Sequence, residues 1–103
     1  MIRGAIGRKL IERRLADVSN RLRRAQEELR IADEQSGYLD ADADEARIRA
    51  VVSDDRFAAH EHRAAQGPAD ALGKERARLA SSIQELRRRQ DQLLDQLSAT
   101  SAP

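Results

Sequence analysis

The sequence contains no cysteine among its 103 residues, and only Tyr38 and Phe57 are aromatic. Without thiols, disulfide bonds and thiolate metal sites are excluded. A hydrophobic core must therefore be built from Leu, Ile, Val and Ala, and the chain lacks the aromatic platforms on which single-stranded nucleic acids stack. No apolar run approaches the roughly 20 residues that span a bilayer, and the first residues contain no secretory apolar segment. These absences predict a cytoplasmic location.

Charged residues, by contrast, make up 36% of the chain, and Ala, Arg, Glu, Asp, Gln and Leu fill most positions. This composition is typical of long helices and coiled coils. Arg outnumbers Lys 17 to 2, a skew associated with GC-rich bacterial genomes. The length predicts one domain, which we place at residues 1–98, followed by a disordered tail at residues 99–103.

Hydrophobic residues recur at heptad spacing in two segments. In the first, steps of four and three residues alternate from Ile11 to Leu39, and in the second they alternate from Ala69 to Leu97. Arg76 and Gln90 occupy a positions of the second segment, where polar residues fix register. We predict that an oligomer or a partner is held by the two seams, through Ile11, Leu15, Val18, Leu22, Leu29, Leu72, Leu79, Ile83, Leu86, Leu93 and Leu97.

Interruptions of the heptad pattern predict the ends of the helices. The predicted helices are about 5–39, about 44–53 and about 55–97. Asp54-Asp55 has the character of a turn and helix cap, and Gly67-Pro68 is expected to kink or break the last helix. The predicted fold is all-α, an antiparallel coiled-coil helical hairpin with a short helix at its tip. Because so thin a core is marginal alone, we expect a homodimer that forms a four-helix bundle, or another helical protein as partner.

The net charge of +1 hides a segregation along the chain. Residues 1–24 carry +6, residues 25–62 carry −7 and residues 63–103 carry +2. Guanidinium groups bind phosphates, and clustered charge would make such binding salt-sensitive. The simpler interpretation is that the arginines flank the seams and pair with carboxylates. The alternative is a nucleic-acid- or ribosome-associated factor whose phosphate contacts are Arg13, Arg14, Arg21, Arg23, Arg24, Arg87, Arg88 and Arg89.

Acidic residues collect at the predicted tip, which carries Asp40, Asp42, Asp44, Glu45, Asp54 and Asp55. The spacing of the first three begins like an EF-hand loop, but that loop needs Gly at its sixth position and Glu at its twelfth, where this chain has Glu45 and Val51. An acidic tip on a coiled-coil hairpin resembles the transcription factors that insert such a hairpin into the secondary channel of RNA polymerase. The resemblance implies a polymerase-binding hairpin, although those factors carry a second globular or zinc-binding domain for which this sequence has no counterpart.

No residue set predicts catalysis, a cofactor or a metal site. His60 and His62 are two residues apart and so point to different faces of a helix. The segment from Gly67 to Lys74 has five residues between its glycines, whereas a phosphate-binding loop has four. A hairpin of Leu and Ala also lacks the pocket that a substrate needs. We therefore predict a non-enzymatic protein-binding adaptor with no catalytic residue, cofactor, metal or small-molecule substrate.

A short amphipathic stretch lies at the start of the chain. Ile2, Ile6 and Leu10 are spaced by four among basic residues, as in helices that lie on membrane surfaces. Because stable anchoring requires more apolar area than three side chains offer, a membrane is not an expected partner.

Overall fold

The computed structural model describes the backbone of residues 2–101 and the side chains of residues 7–100. Helix α1 runs over Ile2–Ser53 and helix α2 over Arg56–Ser101. Asp54 and Asp55 form the turn between them, so the chain is an all-α helical hairpin. The predicted hairpin is confirmed, and the predicted boundaries of its helices change.

Helix α1 does not end near residue 39, and residues 44–53 are its last turns rather than a separate short helix. Ala43, Ala46 and Ala50 continue the steps of four and three beyond Leu39, and Ala43 and Ala46 are 4% and 2% exposed. Helix propensities differ by less than about 1 kcal/mol per residue, so burial of this face outweighs the poor helix formers around Gly37. The predicted break was wrong because the alanines at seam positions were not counted as core.

The turn has the local chemistry that the Asp54-Asp55 pair predicts. Asp54 adopts a left-handed backbone with φ 51°, and its N–H donates to the carbonyl oxygen of Ala50 at 3.2 Å, which closes the end of α1. The Asp55 carboxylate accepts a hydrogen bond from the backbone N–H of Ala58 at 2.7 Å. Asp55 is thus the N-cap of α2, and the predicted start of the last helix is confirmed.

Helix α2 passes through Gly67 and Pro68 without a break. Both residues are exposed, while Ala69 beside them is 7% exposed. The proline ring and its missing N–H therefore lie on the solvent side, where the lost backbone hydrogen bond costs least. The helix also continues to Ser101, past residue 99 where a disordered tail was predicted. Ala102 and Pro103 lie outside the described residues.

Contacts divide the chain into two units, each built from one segment of each helix. Unit 1 combines α1 up to Glu27 with α2 from Ala80. Its core is aliphatic, and Leu93 is fully buried. The buried side chains of unit 1 are Val18, Leu22, Ala25, Ile83 and Leu93.

Unit 2 covers residues 28–79 and contains the turn, so its two helical segments run antiparallel. Its core is made mainly of alanine, with Leu79 as its one large buried side chain among the described residues. Small side chains let two helices pack closely, but they bury little area per residue. The buried side chains of unit 2 are Ala32, Ser36, Ala43, Ala46, Ala58, Ala69 and Leu79.

Candidate interaction surfaces

The inner seams are the heptad positions of α1 and α2 that are covered within the chain. All eleven residues predicted to hold an oligomer or partner belong to them, and each is buried or half-buried in this single chain. Covered side chains of this kind have already lost most of the area that a second protein could remove from water. The prediction that they carry an assembly stays a prediction, and we therefore looked for apolar positions that remain exposed.

Polar groups in the inner seams make hydrogen bonds between the helices. In unit 1, Gln90 Nε2 donates to Ser19 Oγ at 3.1 Å. In unit 2, Arg76 Nε donates to Asp33 Oδ1 at 2.7 Å and Arg76 Nη1 donates to Ser36 Oγ at 3.1 Å. Gln90 and Arg76 are the two polar residues at a positions of the second heptad segment. A shift of one turn would leave them unpaired, so they select one register within each unit.

The arginine surface is the set of eight predicted phosphate-binding arginines, all of which lie in unit 1 and are exposed. Unit 1 has eleven basic and six acidic residues, a net +5. Arg21 pairs with Asp17 at 3.2 Å, and Arg23 donates to Asn20 at 2.8 Å. With the residues that the structure describes, no ion pair is formed by Arg13, Arg14, Arg24, Arg87, Arg88 or Arg89.

A shallow, open depression lies on the arginine surface, lined by Asn20, Arg23 and Arg24. It offers guanidinium and amide donors, which suit a phosphate or carboxylate oxygen. It does not enclose a small molecule. The depression adds no catalytic group to the arginines that line it.

Of the six acidic residues predicted at the tip, Asp54 and Asp55 form the turn and the other four do not. Asp40, Asp42 and Asp44 lie inside α1, nine or more residues before its end at Ser53, and Glu45 pairs with Arg49 at 3.2 Å. The prediction is wrong for these four residues because α1 continues through them. In the described part of the chain, no three His, Asp or Glu side chains are grouped closely enough to hold a metal ion. The polymerase-binding hypothesis stays a prediction, and its carboxylates now lie along a helix side.

The two histidines differ in exposure. His60 is exposed, whereas His62 is half-buried at an inner-seam position of α2, four residues after Ala58 and three before Ala65.

Unit 2 also contains Arg78, whose pKa is raised above its ordinary value because the Glu75 carboxylate accepts its hydrogen bond at 2.6 Å and carries the opposite charge. Arginine is charged throughout the accessible pH range in either case.

The outer stripe of unit 2 is a second heptad series on α1, one or two residues before each inner-seam position. Its steps again alternate between three and four. Its large apolar members are exposed: Ile31 41%, Tyr38 71%, Ile48 54% and Val52 78%. The stripe positions precede the inner-seam positions by one and a half residues on average. Because each residue turns an α-helix by about 100°, the stripe faces about 150° away from the inner seam. The series is Ile31, Glu34, Tyr38, Ala41, Glu45, Ile48 and Val52.

The same heptad frame continues on the α1 segment of unit 1, where it forms the outer stripe of unit 1. This part is mostly polar, with Leu10 as its large apolar residue at 44% exposure. All of its members are exposed. The series is Leu10, Arg13, Asp17, Asn20, Arg24 and Glu27. Sequence reasoning missed the outer stripe because it assigned residues 40–53 to a turn and a separate short helix, which interrupted the frame.

Val51 and Phe57 add apolar surface near the turn, where they are 73% and 70% exposed. Together with Ile48 and Val52 they make the turn region of unit 2 more apolar than acidic.

Comparison of the chain with protein-family models, with curated proteins and with solved structures gave no significant match to any of the three.

Proposed function

We propose that this chain is a non-enzymatic helical interaction module of the cytoplasm that binds another helix along the outer stripe of unit 2. One observation carries the proposal: four large apolar side chains at heptad spacing are 41–78% exposed. The inner seam of the same helix is already covered by α2. A helix with two heptad faces and one covered face presents the other to a partner.

The exposed apolar residues share one stripe of α1. Ile31, Tyr38, Ile48 and Val52 are all exposed members of one heptad series, whereas apolar residues scattered singly over a surface carry no such pattern. Covering them would remove apolar surface from water and so favour association. Tyr38 is suited to the centre of such a contact, because tyrosine is enriched among residues that dominate binding energy.

A protein suits this surface better than a membrane does. Glu34 and Glu45 lie within the stripe, and unit 2 carries eight basic and twelve acidic residues, a net −4. Anionic lipid headgroups would be repelled by that charge. Neither described helix has a stretch that is long and apolar enough to cross a bilayer. A partner helix with apolar residues and a few basic ones would match both the exposed apolar residues and the glutamates of the stripe.

The test is site-specific photocrosslinking in cells that produce the full chain. A photoreactive phenylalanine analogue at position 38 should crosslink one protein, whereas the same analogue at exposed position 47, outside the stripe and the positions that flank it, should not. Recovery of that protein should survive nuclease and 0.5 M salt, and Ile48→Ser should abolish it. Equal crosslinking from both positions, or none from position 38, would contradict the proposal.

A second candidate function is binding of nucleic acid, alone or on a ribosome, through the arginine surface. It is favoured by six arginines of unit 1 that form no ion pair with described residues and by the net +5 of that unit. Phosphate contact by these groups releases counterions, so the logarithm of affinity should fall linearly with the logarithm of salt concentration.

Fluorescence anisotropy with labelled duplex RNA and DNA at ~50 mM salt tests this candidate. Replacing Arg87, Arg88 and Arg89 by Gln should lower the affinity about tenfold or more and reduce the salt slope by about 3. The matched control is Gln at Arg47 and Arg49, which lie in unit 2. No binding by the unaltered chain at ~50 mM salt would exclude the candidate.

A further inference from the structure

We infer that the helix bound along the outer stripe of unit 2 is α1 of a second copy of this chain, running antiparallel and docking with its own outer stripe of unit 1. The inference rests on the proposed function and names its partner. It differs from the four-helix bundle expected from the sequence, because each inner seam stays inside its own copy.

The register of this pairing follows from the heptad frame. In an antiparallel pair the a positions of one helix face the d positions of the other, so the numbers of facing residues have a constant sum. One register sets Leu10 against Ile48 and two arginines against glutamates. Its pairs, with the unit 1 residue first, are Leu10 with Ile48, Arg13 with Glu45, Asp17 with Ala41, Asn20 with Tyr38, Arg24 with Glu34 and Glu27 with Ile31.

Neighbouring registers are worse. A shift of one heptad in one direction sets Asp17 against Glu34, two carboxylates in the middle of the contact. The opposite shift sets Asp17 against Ile48 and Arg24 against Ala41, and it contains no arginine–glutamate pair. The register given above has two such pairs, so the charges favour it.

The charged residues of the two stripes are available for this contact. Arg13 and Arg24 form no ion pair with any described residue. Glu34 and Glu45 have ion pairs one turn along α1, with Arg30 at 3.5 Å and with Arg49 at 3.2 Å. Exposed ion pairs of this type contribute little to stability, and a carboxylate can accept a hydrogen bond from a second donor as well.

The rim of the unit 1 stripe is basic, since Lys9, Arg14, Arg21 and Arg23 flank it. The unit 2 stripe is flanked by two basic and two acidic residues, Arg30, Asp42, Asp44 and Arg49. The charge complementarity lies at the level of whole units, a net +5 in unit 1 and a net −4 in unit 2. A second copy therefore supplies the basic, partly apolar helix that the outer stripe of unit 2 requires. In this dimer the acidic residues inside α1, which lie away from the turn, face a basic partner.

A homodimer with a two-fold axis forms every such pair twice.

Charge reversal in the full chain tests the pairing. Arg24→Glu alone and Glu34→Arg alone each replace two attractive pairs by two repulsive ones, and we expect each to raise the dimer dissociation constant about 10- to 100-fold in sedimentation velocity. The double variant Arg24→Glu/Glu34→Arg should restore it. Arg47→Glu, at an exposed position outside the stripe and its rims, is the control. All three altered residues are exposed, and circular dichroism confirms that helix content is kept.

Disulfide trapping gives an independent readout, because the chain has no cysteine. A Leu10→Cys chain mixed with an Ile48→Cys chain should form a mixed disulfide dimer, and Leu10→Cys mixed with Val18→Cys should not. A monomer at every concentration, while position 38 still crosslinks another protein, overturns this inference and leaves the proposed function intact. A dimer whose dissociation constant is unchanged by Arg24→Glu also overturns the inference. A monomer that crosslinks nothing ends both.

Discussion

Replacing Leu93 by Ala tests the packing of unit 1 at its best-buried side chain. Leu93 is 0% exposed, whereas Leu94 beside it is 45% exposed. Shortening a fully buried leucine loses the transfer free energy of its methyl and methylene groups and leaves a cavity, which costs about 2–5 kcal/mol in protein cores. In a core of two helices the neighbours can partly close the gap, so we expect a loss near 3 kcal/mol. Leu94→Ala should cost less than about 1 kcal/mol, because its side chain leaves no enclosed cavity.

Urea unfolding followed by circular dichroism at low temperature measures the difference. With a slope of about 1.5 kcal/mol per molar urea, Leu93→Ala should lower the midpoint by about 2 M and Leu94→Ala by less than about 0.7 M. All chains are compared at one protein concentration, since association shifts apparent stability. If Leu93→Ala leaves no folded baseline, Leu93→Met, a change of similar volume costing under about 1.5 kcal/mol, takes its place. Equal shifts for the two neighbouring positions would refute the assignment of the buried face of α2.

The same titration checks three further features. Asp55→Ala removes the cap on the Ala58 N–H and should cost about 1 kcal/mol, whereas Asp54→Gly should add about 1 kcal/mol because glycine accepts φ 51° without strain; no change in either would contradict the turn. Gly67→Ala should stabilise α2 by about 0.5–1 kcal/mol, since the added Cβ meets nothing within 4 Å, and a loss would argue against an unbroken helix there. A double-mutant cycle between Arg76 and Asp33 should give a coupling of about 0.5–1 kcal/mol, because their side chains are 41% and 51% exposed; zero coupling would contradict the pair.

The predictions that held depend on local chemistry or on strict periodicity. Large aliphatic residues in steps of three and four, such as Val18, Leu22 and Ile83, are buried as the heptad pattern predicts. The cap at Asp55 was also predictable, because a carboxylate three residues before an unsatisfied N–H is a strong helix-start signal. The exposure of the eight arginines follows from their positions beside, not within, the inner seams.

The predictions that failed placed too much weight on residues with low helix propensity. Gly37 and the aspartates that follow it favoured a break, but Ala43 and Ala46 are buried and hold α1 together. Gly67-Pro68 favoured a kink or break, yet both residues are exposed in a continuous α2. A single unfavourable residue costs about 1–3 kcal/mol, which the burial of a whole helix face can offset.

Sequence alone determined that this chain folds as paired helices, that a helix begins after a cap at Asp55 and which large aliphatic residues form the inner seams, because each of these depends on spacing or on a local cap. Only the tertiary structure decided that α1 is one helix, that its inner seam is covered by α2 and that the heptad frame of its outer stripe is left exposed. A heptad pattern identifies faces that are able to pack. Which face is covered depends on where the other helix lies, and that information is in the packing rather than in the spacing.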